Sequence, residues 1–202
     1  MKKLVPLCLA TGAASLLISG CASAPVRHVD PDSSRTVLSV DKINMQDWNM
    51  AAEYVIKKMQ EEFINSGKLE SADGPGKPSV LAVSRIVNNT GLQIDMDMLL
   101  KRIRIALLQT GKVVTDITAG LGGPEDPLAD ASKRQAAFAS GKKLRRPDYT
   151  LSGKIIEDRA RAGNIREVTY FFQLTLATPD GLAVWEGEKR IPKQGEKPSV
   201  GW

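Results

Sequence analysis

Two short apolar runs joined by one long amphipathic segment constrain this chain most. "SVLAVSRIV", Ser79 to Val87, is small and branched throughout, the pattern of a buried strand. "IDMDMLLKRIRIALLQTGK" follows a turn at "NNTGLQ" and reads as a helix. Its start falls at Asp95 or Asp97. Leu99, Ile103, Ala106 and Leu107 form its buried stripe, and Gly111 ends it. "KVVTDI" is then a short strand. A strand–helix–strand unit in one sheet requires a parallel crossover, because a tight turn cannot return the chain in the same direction.

The rest of the chain completes that sheet. "DWNMAAEYVIKKMQEEFINSG" predicts a first helix, with Asp47 capping its first turn and Trp48, Ala52, Val55, Met59 and Phe63 on one face. Ser66 and Gly67 stop it. "KLESADGPGKP" and "AGLGGPEDP" read as loops, and "LADASKRQAAFASG" as a weaker third helix. Tyr149, Leu151, Gly153 and Ile155 alternate as in a strand. Val168, Tyr170, Phe172, Leu174 and Leu176 do the same in a hairpin that turns at Pro179 to Gly181 and returns through "LAVWEG". Tyr170 and Trp185 are expected to pack in or across that hairpin. "IPKQGEKPSVGW" shows no pattern. The fold class expected is α/β (α+β): a single mixed sheet of about four to five strands flanked by helices, ending in an antiparallel meander. The globular part is placed at 47–193 and a loose tail at 194–202.

The first twenty residues have the layout of an export signal. Lys2 and Lys3 precede an apolar run from Leu4 to Ile18, and Ser19 and Gly20 are small. Pro6, Gly12 and Gly20 argue against a core helix there. "ISGC", Ile18 to Cys21, resembles a bacterial lipobox, in which the cysteine thiol takes up a diacylglyceryl group and becomes the first residue of the mature chain. Acyl chains confer roughly 0.8 kcal/mol of membrane affinity per buried methylene, and two or more make a stable anchor. Ala22 at the following position, rather than aspartate, favours the outer membrane by the same resemblance. Residues 1–20 are thus read as signal peptide and 21–46 as lipidated start and tether, with a coil span of roughly 25–30 Å and a stretched limit of roughly 80–90 Å.

About 180 residues follow Cys21, enough for one domain with a real core. With Cys8 removed and Cys21 acylated, no thiol pair remains, so the core must hold by packing. Loss of Lys2 and Lys3 takes the formal charge from +5 to +3. Such a mildly basic exported domain can meet anionic lipid, wall polymer or an acidic protein face.

Little in the sequence suggests catalysis. The single histidine, His28, lies in the tether. No Cys/His cluster has metal-ligand spacing, neither glycine-rich loop has phosphate-loop spacing, and no cofactor is implied. Glu157, Asp158, Glu186 and Glu188 are the carboxylates from which a dyad could be built, and a solvated sheet edge is their simpler reading. Asn88 to Thr90 spells a glycosylation sequon, which carries no weight in a bacterial lipoprotein.

The lipobox, "VSRIVNNTGLQIDMDMLLKRIRIALLQTGKVV", "PDYTLSGKI" and "REVTYFFQLTLATPDGLAVWEGEKRIPK" together resemble the LpoB-type lipoproteins, outer-membrane activators of penicillin-binding proteins. The likeness runs from about Asp47 to Lys193. The family's Ile-x-Asn-x-Thr pattern is matched by Ile86, Asn88 and Thr90. Its helix end is matched by Arg104, Leu107, Gly111 and Lys112, and its hairpin by Tyr170, Gly181 and Trp185. The resemblance implies a domain on the periplasmic side of the outer membrane. It would bind a non-catalytic domain of a peptidoglycan synthase and stimulate polymerisation and crosslinking, with no catalytic residue, nucleic acid or small-molecule substrate of its own. The alternative is an assembly lipoprotein of the same fold serving a secretion or flagellar machine. The family's further helical turn ending in Gly-Ala-Asp-Tyr is represented here by the shorter, basic "KKLRRPDY", in which only Asp148 and Tyr149 keep the pattern. Lys142, Lys143, Arg145 and Arg146 are the one concentrated positive feature, and they are expected to help recognise a partner.

Overall fold

The computed structural model describes residues 39–40, 42–118, 124–141 and 143–196. Cys21 and Lys142 lie outside them. The elements run α1 (Met45–Met59, continued by one wider π-helical turn, Gln60–Ile64), β1 (Ser79–Asn89), α2 (Met96–Leu108), β2 (Val113–Asp116), α3 (Pro127–Ser140), β3 (Tyr149–Ala162), β4 (Ile165–Ala177) and β5 (Ala183–Glu196). The five strands form one mixed sheet in the order β2-β1-β3-β4-β5. β1 pairs parallel with both β2 and β3, and β3, β4 and β5 form an antiparallel meander. The fold class expected from the sequence is the one observed.

Side-chain alternation decides which face of the sheet is covered. Tyr149, Leu151 and Ile155 of β3 and Val168, Tyr170, Phe172, Leu174 and Leu176 of β4 are buried on one face. They pack under Val55, Ile56, Met59 and Phe63 of α1 and Leu99, Ile103 and Leu107 of α2. Phe63 meets Tyr149 edge-on, with ring centroids 5.6 Å apart and planes at 86°. The other face carries Thr169, Phe171, Gln173 and Thr175 of β4, all half-buried. A sheet with one wet face tolerates this mixture, because its polar side chains keep their hydration. α1 and α2 therefore both cover a single face of the sheet.

Three expectations are corrected. α1 starts earlier than Asp47, which is not its cap: the cap is Asn44. Asn44 Oδ1 accepts the Asp47 backbone N–H at 3.0 Å, while the Asp47 carboxylate accepts the Asn44 N–H at 2.8 Å. This reciprocal box satisfies two backbone donors instead of one. The stretch from Ile191 to Glu196 is not loose, since it pairs with Ile165 to Tyr170 of β4. Its alternation is hidden because Pro192, Gln194 and Glu196 lie on the wet face, while Lys193 and Gly195 lie on the covered one. Tyr170 and Trp185 both sit in the hairpin but do not pair: Tyr170 is opposite Ile191, and Trp185 opposite Leu176.

The two ends of the sheet differ. Ser79, Val113, Tyr149, Ala177 and Ala183 lie at one end, and Ala162, Ile165 and Glu196 at the other. From Ile165 to Ala177, β4 alone spans roughly 40 Å. The chain enters the domain at the Glu196 end. There Val40 lies against Gly195, where a Cβ would strike its side chain. Lys193 Nζ donates to the carbonyls of Ser39 (3.2 Å) and Lys42 (2.8 Å), and it pairs with the buried Asp47 carboxylate. Ser39, Val40, Lys42 and Asn44 are thus bound to the domain that follows them.

α3 is attached differently. None of its residues is buried. Asp126 caps its start by accepting from the N–H groups of Leu128 and Ala129, and Gly141, in the left-handed conformation, ends it. Its link to the sheet is Lys133, which donates to Asp116 (2.7 Å) and Thr118 (2.9 Å). Burial pushes the Asp116 carboxyl up. Hydrogen bonds from Lys133 and Thr118, with the Lys133 charge, outweigh that and hold it below its usual 3.8. A lowered folded value means this link is complete above the usual carboxylate range and is lost as pH falls below it. Hydrogen exchange across α3 is expected to accelerate, relative to intrinsic rates, between about pH 5 and about pH 2. Asp116→Asn should remove that dependence, and equal protection at both limits would overturn the assignment.

Candidate functional site

The end of the domain away from residues 39–44 is built from three loops. Residues 65–78 lead into β1, residues 143–148 lead into β3, and Thr178 to Leu182 join β4 to β5. Asp148 is their hub. Its Oδ2 accepts the Val80 N–H at 2.8 Å, and its Oδ1 accepts the Ala72 N–H at 3.2 Å. Its own N–H donates to Val80 O at 2.7 Å. Arg145 donates to Asp148 at 3.2 Å and pairs with Asp73 at 2.5 Å. The Tyr149 hydroxyl accepts the Glu70 N–H at 3.1 Å, and Ser79 Oγ donates to Glu70 O at 2.7 Å. Between these loops lies a shallow depression walled by Ser71, Arg145, Arg146, Tyr149, Pro179 and Asp180.

The basic block divides once the loop is folded. Arg145 faces inward onto two carboxylates and fastens the loop. Lys143 and Arg146 are exposed, and neither forms an ion pair among the described residues. Sequence proximity cannot separate these roles, because the acceptors come from residues 73 and 148, on two different loops. Asp148 is the residue that sequence reasoning undervalued. Its signal is an acid immediately before the first meander strand, where a carboxylate can bind N–H groups that the parallel pairing leaves open.

Of the carboxylates singled out from sequence, the fold brings together Glu186 and Glu188, neighbours on the wet face of β5, and leaves Glu157 and Asp158 apart from them. Glu157 is on the covered side of the sheet, where it accepts the Gly91 N–H at 3.2 Å and pairs with Arg159. Alternation puts Asp158 on the opposite face. There it is level with Pro192, two strands and four residues from Glu188. Glu186 accepts from Thr175 at 3.1 Å, and Glu188 accepts from Gln173 at 2.7 Å and Arg190 at 2.6 Å. The Gln173 amide, then Arg190, holds the Glu188 carboxyl below its ordinary value. Asn88 likewise shapes a turn: its side-chain amide donates to Leu92 O at 2.7 Å, and its oxygen accepts from Thr90.

The described residues thus form an α/β domain whose far end carries linked loops and two exposed cations. The profile described as "Peptidoglycan-synthase activator LpoB" matches residues 47–191. The chain belongs to the LpoB family. Similar solved structures include the LpoB C-terminal domain from Salmonella enterica, 22% identical, covering 72% of this chain and 98% of that one, with a TM-score of 0.40. The corresponding domain from Escherichia coli is 19% identical over 72% and 98%, with a TM-score of 0.39. The NMR structure of E. coli LpoB is 19% identical over 90% and 100%, with a TM-score of 0.38. No curated protein matches the chain. Among the described residues no helix is long and apolar enough to cross a membrane.

Proposed function

We propose that this protein is an outer-membrane lipoprotein, anchored through acyl chains on Cys21, whose periplasmic domain binds and stimulates a penicillin-binding protein of the peptidoglycan-synthase class. The observation that carries the reading is the match of an activator family over nearly the whole folded part. The lipobox at Ile18 to Cys21 supplies the anchor, and Ala22 the sorting preference. The fold supports presentation outward: the chain enters at one end of the sheet, and the loops organised by Asp148 lie at the other. Lys143 and Arg146 there offer positive charge that hastens encounter with an acidic face. In this reading the domain works by binding, and the chemistry belongs to the synthase.

Adding the mature chain to the purified synthase of the same cell should raise the rate of glycan polymerisation. No binding and no change in rate would overturn the proposal. Cys21→Ala should abolish acylation and release a soluble or uncleaved form. Mass spectrometry of the mature N-terminus decides this, since a mature chain starting anywhere but an acylated Cys21 contradicts the anchor.

A further inference from the structure

We infer that the outward face of α3, with Lys143 and Arg146 just beyond its end, is a docking surface for an acidic protein face that offers an apolar socket, the partner being the synthase of the reading above. α3 is amphipathic in the reverse sense. The side it turns toward the domain holds the half-buried Ala129, Lys133 and Ala137. Its large apolar side chains point the other way, with Leu128 77% exposed and Phe138 91% exposed. A helix of this length is marginal in isolation, and most helices gain their stability by burying the apolar face. Here that face is left in water. The helix is instead held by its caps and by one lysine.

The charge next to this face names the partner's chemistry. Arg134 and Lys133 are already paired, with Asp130 and Asp116. Lys143 and Arg146 form no ion pair among the described residues, and the half-exposed Leu144 stands between them in sequence. An exposed phenylalanine followed within eight residues by two exposed cations is the composition of an interface anchor, which gains most when a complementary pocket excludes water and supplies carboxylates. An anionic lipid surface fits less well. Two large apolar side chains are few for a helix that lies in a membrane interface. The loop that follows α3 ends at Asp148, at the far end of the sheet from residues 39–44, the side on which the membrane tether arrives.

The test uses the full mature chain and the ectodomain of the synthase that it stimulates. Phe138→Ser should weaken binding about tenfold or more, as for an interface anchor. The Lys143→Glu/Arg146→Glu double variant should slow association several-fold at low salt and less at physiological salt. Because Phe138 is in water, its replacement should leave the melting temperature unchanged, and this is measured alongside. Wild-type binding with both variants unchanged would overturn this inference and leave the activator reading standing. Absence of wild-type binding would overturn both. Loss of binding to phosphatidylglycerol vesicles in Phe138→Ser, with synthase affinity intact, would assign the face to lipid and overturn the inference. Loss of self-association with synthase affinity intact would assign it to a second copy, with the same result.

Discussion

Trp185→Ala is expected to lower the unfolding free energy by about 3–5 kcal/mol. The side chain is 8% exposed on the covered face of β5, and three contacts set the size of the effect. Its ring lies along the strand over Gly187, where even a Cβ would come within 2.6 Å of Cζ2. Val55 of α1 closes the same space, since that Cβ would also come within 3.2 Å of its Cγ1. Its indole N–H donates to the Glu62 carboxylate at 2.8 Å, joining β5 to the π-helical turn that ends α1. Truncation opens a cavity between helix and sheet, beside Val55 and the cross-strand Leu176, and such cavities collapse only in part. Trp185→Phe should cost far less, since the half-exposed Glu62 can return to water. Urea unfolding of the wild type and both variants checks this. A loss below about 1 kcal/mol in Trp185→Ala would show that the indole does not bridge α1 and β5.

Lys193→Ala is expected to cost a similar amount, about 3–5 kcal/mol, for an electrostatic reason. The lysine side chain is 10% exposed and its partner Asp47 only 4%, so each charge has lost most of its hydration. Removing the ammonium leaves a buried carboxylate supported by the Asn44 N–H. Two backbone carbonyls, those of Ser39 and Lys42, lose their donor at the same time. An exposed pair would be worth about 0–1 kcal/mol, so the magnitude itself discriminates. The double-mutant cycle with Asp47→Ala should show strong coupling, the second substitution costing much less once the first is made. Limited proteolysis should find residues 39–43 newly accessible in Lys193→Ala. Additive losses with unchanged proteolysis would contradict the clasp.

These two residues also show what could be read early. Trp185 stands in a period-two run, so its place on the inner face of the hairpin follows from alternation. Lys193 sits in a segment with no visible pattern, and its acceptors are 146 residues or more away in the chain. Periodicity reports which side chains leave water together, and capping chemistry reports where helices begin. Both are local, which is why α2 was legible to within two residues of its cap, Asp95, and in its stripe Leu99, Ile103 and Leu107, with Ala106 partly buried beside them. The parallel relation of β1 and β2 was legible for a comparable reason: a crossover of that length leaves the chain one direction in which to return.

Contacts between distant segments could not be read in this way. That β2 lies at the edge, with β3 on the other side of β1, depends on which strand buries more against α1 and α2. That Arg145 fastens a loop while Lys143 and Arg146 stay exposed depends on Asp73 and Asp148 arriving from either side. That α3 faces Ala129 and Ala137 inward and Phe138 outward depends on where Lys133 finds Asp116. From local pattern alone, the chain specifies its elements and the hidden faces of most of them. Partner selection among buried charges, the side of the sheet that stays wet, and the surface left for another protein are set by packing, because each is a competition among groups that meet only after the chain has closed on itself.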